Sequence, residues 1–257
     1  MDFSTLYWAL SGSGPAYRSV VARAFGATEA IGQHGLTTRR NALQLSRQLG
    51  LGQGDRLLDV CCGPGGPGRA IGRAFGCHVF GVDYAEPAVR LARLSSDAQF
   101  SPMVAHALQL PFGRSSFQAA LVLDSMAAFS SPSALFRELA RVLIPGGRLG
   151  ITAEVGRPLG RAELMRMPPG PAYVFPEHRL RGALERSELR TLMTADCTRS
   201  AASVALRLVH GLTEAQDAVS KEIGRTAVLD LTASLTTWGR LLQSQRVREL
   251  MIVAERR

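Results

Sequence analysis

The chain reads as an α/β protein built on a doubly wound, mostly parallel sheet, and three observations carry that reading. Short apolar runs at 57–60, 79–83 and 117–123 are separated by helix-length segments. The first two carry a carboxylate at or near their ends, Asp59 and Asp83. The first is followed by Cys61-Cys62-Gly63-Pro64-Gly65-Gly66-Pro67-Gly68, a loop of small and rigid residues. Buried parallel strands read as continuous apolar stretches, and glycine lets a backbone approach a ligand with no Cβ in the way. At 257 residues, 46% hydrophobic and 20% charged, one large domain or one domain with a cap is expected.

Taken in order, residues 1–35 are rich in Gly, Ala and aromatics and are expected to pack over something, with Tyr7, Trp8 and Tyr17 as candidates for an aromatic lid. Thr37 is the expected N-cap of a helix reaching Leu49, with Ala42, Leu45 and Leu49 on one face, and the glycines of 50–54 end it. A strand starts near Arg56. After the glycine loop come a helix at 70–75, a strand at 77–83, a helix at 87–94, a short strand at 103–105 and a stronger one at 117–123. A helix at 134–143 is closed by Pro145-Gly146-Gly147, and a strand follows at 148–153. Right-handed crossovers between such strands put ligands beyond their C-terminal ends.

Past Glu154 the pattern changes. Five prolines with Met165 and Met167 predict a packed, adaptable loop over 156–180 in which the methionines fill gaps. A helix at 180–185, a strand at 189–195, a helical stripe from Ile223 through Trp238 to Leu242, and a closing strand at 250–254 complete the chain.

Composition excludes several classes. No stretch approaches the roughly 18 apolar residues of a membrane span, and the N-terminus lacks the basic start and apolar core of a secretory signal, so a cytoplasmic protein is expected. Cys61, Cys62, Cys77 and Cys197 have no paired metal-ligand spacing, which predicts reduced, buried thiols and no metal. The net charge of +9 raises the question of nucleic acid, but Lys221 is the only lysine and the arginines are scattered, so no nucleic-acid partner is expected.

The glycine loop matches G-x-G-x-x-G, and Asp83 lies 20 residues beyond Gly63, as in a dinucleotide site. Such a loop places pyrophosphate at a helix N-terminus, where a carboxylate just before the loop works against it. Asp59 stands there. It suits a ligand that carries positive charge, and S-adenosyl-L-methionine has an ammonium and a sulfonium and no phosphate.

At these residues the sequence resembles the class I S-adenosylmethionine-dependent methyltransferases of the small-molecule, natural-product type. Leu58-Asp59-Val60-Cys61-Cys62-Gly63-Pro64-Gly65-Gly66 aligns with their first motif and Gly81-Val82-Asp83-Tyr84 with the acidic end of strand two. Leu110-Pro111-Phe112 with Ser116-Phe117 is similar to their L-P-F and s-F-D segments, and 141–149 to R-V-L-k-P-G-G-x-l. The resemblance implies a Rossmann-like, seven-stranded sheet with an antiparallel last strand and helical cap insertions. It divides one compact domain into an N-terminal helical cap (1–50), a cofactor-binding core (51–155) and a substrate cap with C-terminal edge strands (156–257). Asp83 would accept both ribose hydroxyls. Gly63 and Gly65 would let the backbone approach the methionine part, with Asp59 near the amino group and Cys61 within the loop. Tyr84 would pack near ribose or adenine, His106, Ala107 and Leu108 would lie beside adenine, and Leu123 and Asp124 along the strand-four edge.

The departures are informative. Cys61 takes the place of the motif's first glycine, His106 stands where many members have Asp, Gln118 replaces the Asp of F-D, and Ala127-Ala128 leave a usual catalytic position blank. Candidate groups for handling an acceptor proton are therefore His34, His178 and His210, with Glu154 as a polar contact. Since a sulfonium is already an activated leaving group, in-line positioning can supply much of the acceleration. The expected activity is methyl transfer to a small, lipophilic metabolite. Two alternatives stand beside it: a fold that keeps the cofactor as a structural ligand and promotes a cyclisation or isomerisation, and an RNA methyltransferase. The oligomeric state is left open.

Overall fold

The computed structural model describes every residue except 1–4, 7, 8, 11, 12, 95, 96, 168 and 169, so Tyr7 and Trp8 of the expected lid lie outside the described residues. Its helices and strands run α1 (Pro15–Phe25), α2 (Arg39–Arg47), β1 (Arg56–Val60), α3 (Gly66–Phe75), β2 (His78–Asp83), α4 (Glu86–Arg93), β3 (Phe100–Val104) and β4 (Phe117–Val122). There follow α5 (Pro132–Val142), β5 (Leu143–Gly156), α6 (Arg161–Leu164), α7 (Glu177–Glu185), β6 (Leu189–Asp196), α8 (Thr198–Glu214), α9 (Gln216–Ile223), α10 (Arg225–Gln243) and β7 (Val247–Arg256).

These strands form one seven-stranded sheet in the order β3-β2-β1-β4-β5-β7-β6. The pairs among β1 to β5 are parallel, and β7 runs antiparallel between β5 and β6. The strand order reverses at β1, beside β4, and that reversal opens a crevice at the C-terminal strand ends. Helices cover both faces because consecutive strand residues point to opposite sides. Leu58 and Val60 pack with Phe117, Phe136 and Leu139 under α5, whereas Leu57 packs with Leu45, Ile71 and Leu121 under α2 and α3. A separate apolar cluster joins α1 to α8, α9 and α10 through Val20, Val204, Leu212 and Val228.

Several boundaries differ from the sequence reading. Thr38, not Thr37, caps α2, its side chain accepting the Asn41 N–H at 3.1 Å. Helix α3 begins four residues before the expected start, at Gly66, since proline in the first turn costs a helix no hydrogen bond. Strand β5 starts at Leu143, straight after α5, so Pro145-Gly146-Gly147 enters the sheet. The loop over 156–180 contains α6 and the start of α7, and within it Met167 packs against a buried cluster while Met165 is 75% exposed.

Candidate active site

Two adjoining cavities open beyond the C-terminal ends of β1, β2 and β4, and Cys61, Asp83, Tyr84 and Ala128 line both. Asp59, His34, Leu123 and Asp124 line the first, and His106, Ala107 and Leu108 the second. Among the described residues, neither cavity is lined by an arginine or a lysine.

The loop between β1 and α3 is shaped by its small residues. Gly65 caps α3 in the left-handed conformation, φ 79°, and a Cβ there would lie 2.4 Å from the Phe100 ring. Cys61 is also left-handed, φ 59°, at the position where the family motif carries glycine, a conformation that disfavours a side chain. At Gly66 a Cβ would lie 2.2 Å from the Ile31 carbonyl, so residues 31–32 rest on the first turn of α3. Gly63 and Gly65 thus act through the loop they bend, while Pro64 and Pro67 reach the cavity wall.

Asp83 is fixed by its own backbone surroundings. Its Oδ2 accepts the Gly63 N–H and its Oδ1 the Ala85 N–H, both at 2.9 Å. Burial raises its pKa despite these bonds. Asp59 is 3% exposed, and its Oδ2 has no hydrogen-bond partner among the described residues. Burial, reinforced by the charge of Asp83, pushes its pKa up to about 7, against the opposing pull of Arg69 and the Gly68 amide. Tyr84 is 49% exposed. His106 accepts the Leu108 N–H on Nδ1 at 3.2 Å, which fixes the 106–109 turn.

Asp124 lines the first cavity, but its carboxylate is engaged elsewhere. The Thr37 N–H donates to Oδ2 at 2.9 Å and the Thr37 hydroxyl to Oδ1 at 2.8 Å. This tie holds the segment of Gly32, Gln33, His34 and Gly35 against the cavity. His34 is solvent-exposed at the wall of that open space, edge-on to Tyr17 at 6.5 Å between centroids. Desolvation by the surrounding protein lowers the His34 pKa to about 4 and raises that of Tyr17 to about 12.

The other predicted acid–base groups lie elsewhere. His210 sits exposed on α8, 3.1 Å from Glu214 one turn away, and His178 lies exposed on α7; neither lines the cavities. Their helices turn these faces to solvent. Glu154 faces Glu249 across the β5–β7 pair, and each keeps one buried oxygen without a hydrogen-bond partner among the described residues. Burial, with the charge of Asp124 adding to it, pushes the Glu154 pKa up to about 7, and burial beside Glu154 raises that of Glu249 further. Sequence reading missed both Glu249 and the role of Thr37.

A doubly wound sheet with a glycine loop after β1 and carboxylates at the tips of β1 and β2 defines a Rossmann-like protein of the methyltransferase type. A family profile described as methyltransferase domain matches residues 58–151. The chain is 30% identical over 150 residues to an O-methyltransferase of Aspergillus nomiae, covering 53% of this chain and 67% of that one. It is 34% identical over 119 residues to the 27-O-demethylrifamycin SV methyltransferase of Amycolatopsis mediterranei, covering 44% of each chain. It therefore spans two thirds of the first relative and under half of the second. Among solved structures, the [4+2]-cyclase SpnF superposes with a TM-score of 0.73 at 21% identity, over 94% of this chain and 92% of that one, a likeness of fold. The chain belongs to the class I S-adenosylmethionine-dependent methyltransferase family, and the family's cofactor is S-adenosylmethionine. Among the described residues no helix is long and apolar enough to cross a membrane.

Proposed function

We propose that the protein transfers the methyl group of S-adenosylmethionine to a small, lipophilic metabolite, with residues 51–155 holding the cofactor and 1–50 and 156–257 shaping the acceptor pocket. One observation carries the reading: two cavities meet at Asp83, with a buried carboxylate oxygen on Asp59 that has no partner among the described residues and, among those residues, no arginine or lysine in either wall. Such a cleft suits a ligand with a cationic end and no phosphate.

In this reading Asp59 faces the amino-acid end. The Asp83 oxygens, each already holding one backbone N–H, use their remaining lone pairs for the ribose hydroxyls. Tyr84 covers the ribose, and His106, Ala107 and Leu108 border the adenine. Leu123 and Asp124 form the wall below the segment of His34. The bound cofactor supplies a methyl on a sulfonium, and the chain has to hold an acceptor in line with it at about 3 to 3.5 Å. A histidine with a pKa near 4 is neutral at pH 7 and takes little of a hydroxyl proton, so His34 orients the acceptor by hydrogen bonding more than it deprotonates it. Both relatives are named for oxygen acceptors, which makes hydroxylated metabolites the first acceptors to assay.

The test has two stages. Melting temperature should rise with S-adenosylmethionine and S-adenosylhomocysteine and stay level with NAD. Incubation with methyl-labelled cofactor and hydroxylated lipophilic metabolites should move label to product. Turnover without label transfer would instead establish the cyclising or isomerising activity, and a salt-sensitive RNA mobility shift the RNA reading.

A further inference from the structure

A further concavity lies along α5, touching the cofactor cleft only at Leu108 and otherwise walled by α5 itself, the turns at 112–116 and 186–188, and the end of β7. It sits where β4 and β5 begin, at the opposite end of the strands from Asp59 and Asp83. Arg114, Arg137, Arg141, Arg186 and Arg256 line it. The opposing charges are Glu138 and Glu188. Arg141 is engaged within the protein: it donates to both Glu138 oxygens at 2.6 and 2.8 Å and to the carbonyls of Phe112 and Leu110. Among the described residues, Arg114, Arg137, Arg186 and Arg256 form no ion pair. Four arginines without an ion pair among the described residues thus line one groove, with only the exposed Glu188 left to oppose their charge.

Two orphaned groups point to what the groove takes. Ser187, 4% exposed, has a buried hydroxyl without a hydrogen-bond partner among the described residues, and it lines the groove. Arg256 donates through Nη1 to the Ser115 hydroxyl and the Leu143 carbonyl, while its buried Nε has no partner. Buried polar groups are hydrogen-bonded in nearly all native structures, so an unsatisfied hydroxyl and N–H on one arginine-lined wall mark a missing acceptor. Arginine forks match oxyanions two oxygens at a time, and several of them around one hydroxyl suit a multiply charged phosphate. S-adenosylmethionine carries no phosphate, so this charge is not there for the cofactor.

We infer that this groove binds a small, multiply charged phosphate compound of the diphosphate class, held by Arg114, Arg137, Arg186 and Arg256 around the Ser187 hydroxyl. The inference stands apart from the identity of the methyl acceptor.

Calorimetric titration of the whole chain with inorganic diphosphate tests it. The wild type should bind one equivalent, and binding should weaken between low and physiological salt. Ser187→Ala should weaken binding about tenfold, the effect of losing one hydrogen bond to a charged group. The triple change Arg114→Gln, Arg137→Gln and Arg186→Gln, all at exposed positions, should weaken it about a hundredfold, and Arg39→Gln, on another face, should change nothing. Retention of the melting-temperature rise with S-adenosylmethionine shows that each variant is folded. Equal diphosphate binding by the wild type and the Ser187 and triple variants would overturn the assignment. So would binding of single-stranded RNA, but not diphosphate, that the triple change abolishes.

Discussion

Two groups of buried carboxylates stand at neighbouring strand ends of one sheet, and they differ in what lies before them. Asp59 and Asp83, on β1 and β2, look into open cavities. Asp124, beyond β4, borders the first cavity but has its oxygens taken by Thr37, and Glu154 and Glu249, on β5 and β7, face each other inside the protein. Burial raises the pKa of every one of the five. The shift alone therefore does not separate a ligand site from a closure. An open carboxylate should report its protonation through ligand affinity, a closed one through stability.

The largest contrast should come from the open pair. Asp83→Ala removes two charged acceptors, each worth about 1.5 to 3 kcal/mol to a hydroxyl, and should weaken cofactor binding at least about a hundredfold and erase the melting-temperature rise. An undiminished rise would show that the ribose is held elsewhere.

Next is the closure. Thr37→Val keeps the shape and the backbone N–H but removes the hydroxyl bonded to Asp124. The cost should be about 1 to 3 kcal/mol, read as a fall of several degrees in melting temperature. Because the same segment carries His34 to the cavity, cofactor affinity should fall too. A loss of stability with unchanged affinity would confine Asp124 to a packing role.

Cofactor affinity should also depend on pH through Asp59. With a pKa near 7 in the free protein, this carboxyl is protonated below neutrality and loses its attraction for an ammonium. Affinity should fall about tenfold per unit as pH drops below 7, and Asp59→Asn should flatten that dependence. A wild-type profile level from pH 5 to 7 would remove Asp59 from cofactor binding.

Sequence and structure agree best where one segment carries the whole signal. Strands β1 and β2 and their loop are legible because continuous apolar runs, glycines and a carboxylate fall together within 57–83. The cap was harder to read. Five of the eight buried residues of α8 are small or polar (Thr198, Ala201, Ala202, Ala205 and Gly211), which gives little hydrophobic contrast along the chain. Asp124 and Thr37 are 87 residues apart, and Glu249 meets Glu154 through the register of an antiparallel pair. The arginine groove draws on four separate segments, so its charge looks scattered in sequence and gathers only in the fold. His178 and His210 fail as site residues for the same reason: a residue type names a capability, and only the helix face decides what it meets.

The smallest effect should come from Glu249, and its sign follows from linkage. A carboxyl whose folded pKa is raised stabilises the folded state fully below its unfolded pKa, near 4.3, and that contribution disappears as pH rises through the folded value. For Glu154 and Glu249 the window runs from about pH 4.5 to 7 and above. Glu138 and Glu177 have lowered pKa values from their arginine partners, so their contributions change only at the acid end, outside it. Asp59, Asp83 and Asp124, also raised, add to the decline, and His34, lowered to about 4, opposes it only up to about pH 6.5, so wild-type stability should show a net decline from pH 5 to pH 8. Glu249→Gln presents a neutral side chain at every pH and can donate the hydrogen bond that a protonated Glu249 would give to Glu154. It should therefore be more stable than wild type at pH 8 by about 1 kcal/mol, with the gap closing near pH 5. Urea unfolding at the two pH values measures this. A variant less stable than wild type at pH 8 would mean that the Glu154–Glu249 pair is stabilising as it stands, and the distinction between an open and a closed set of carboxylates would have to rest on Asp124 alone.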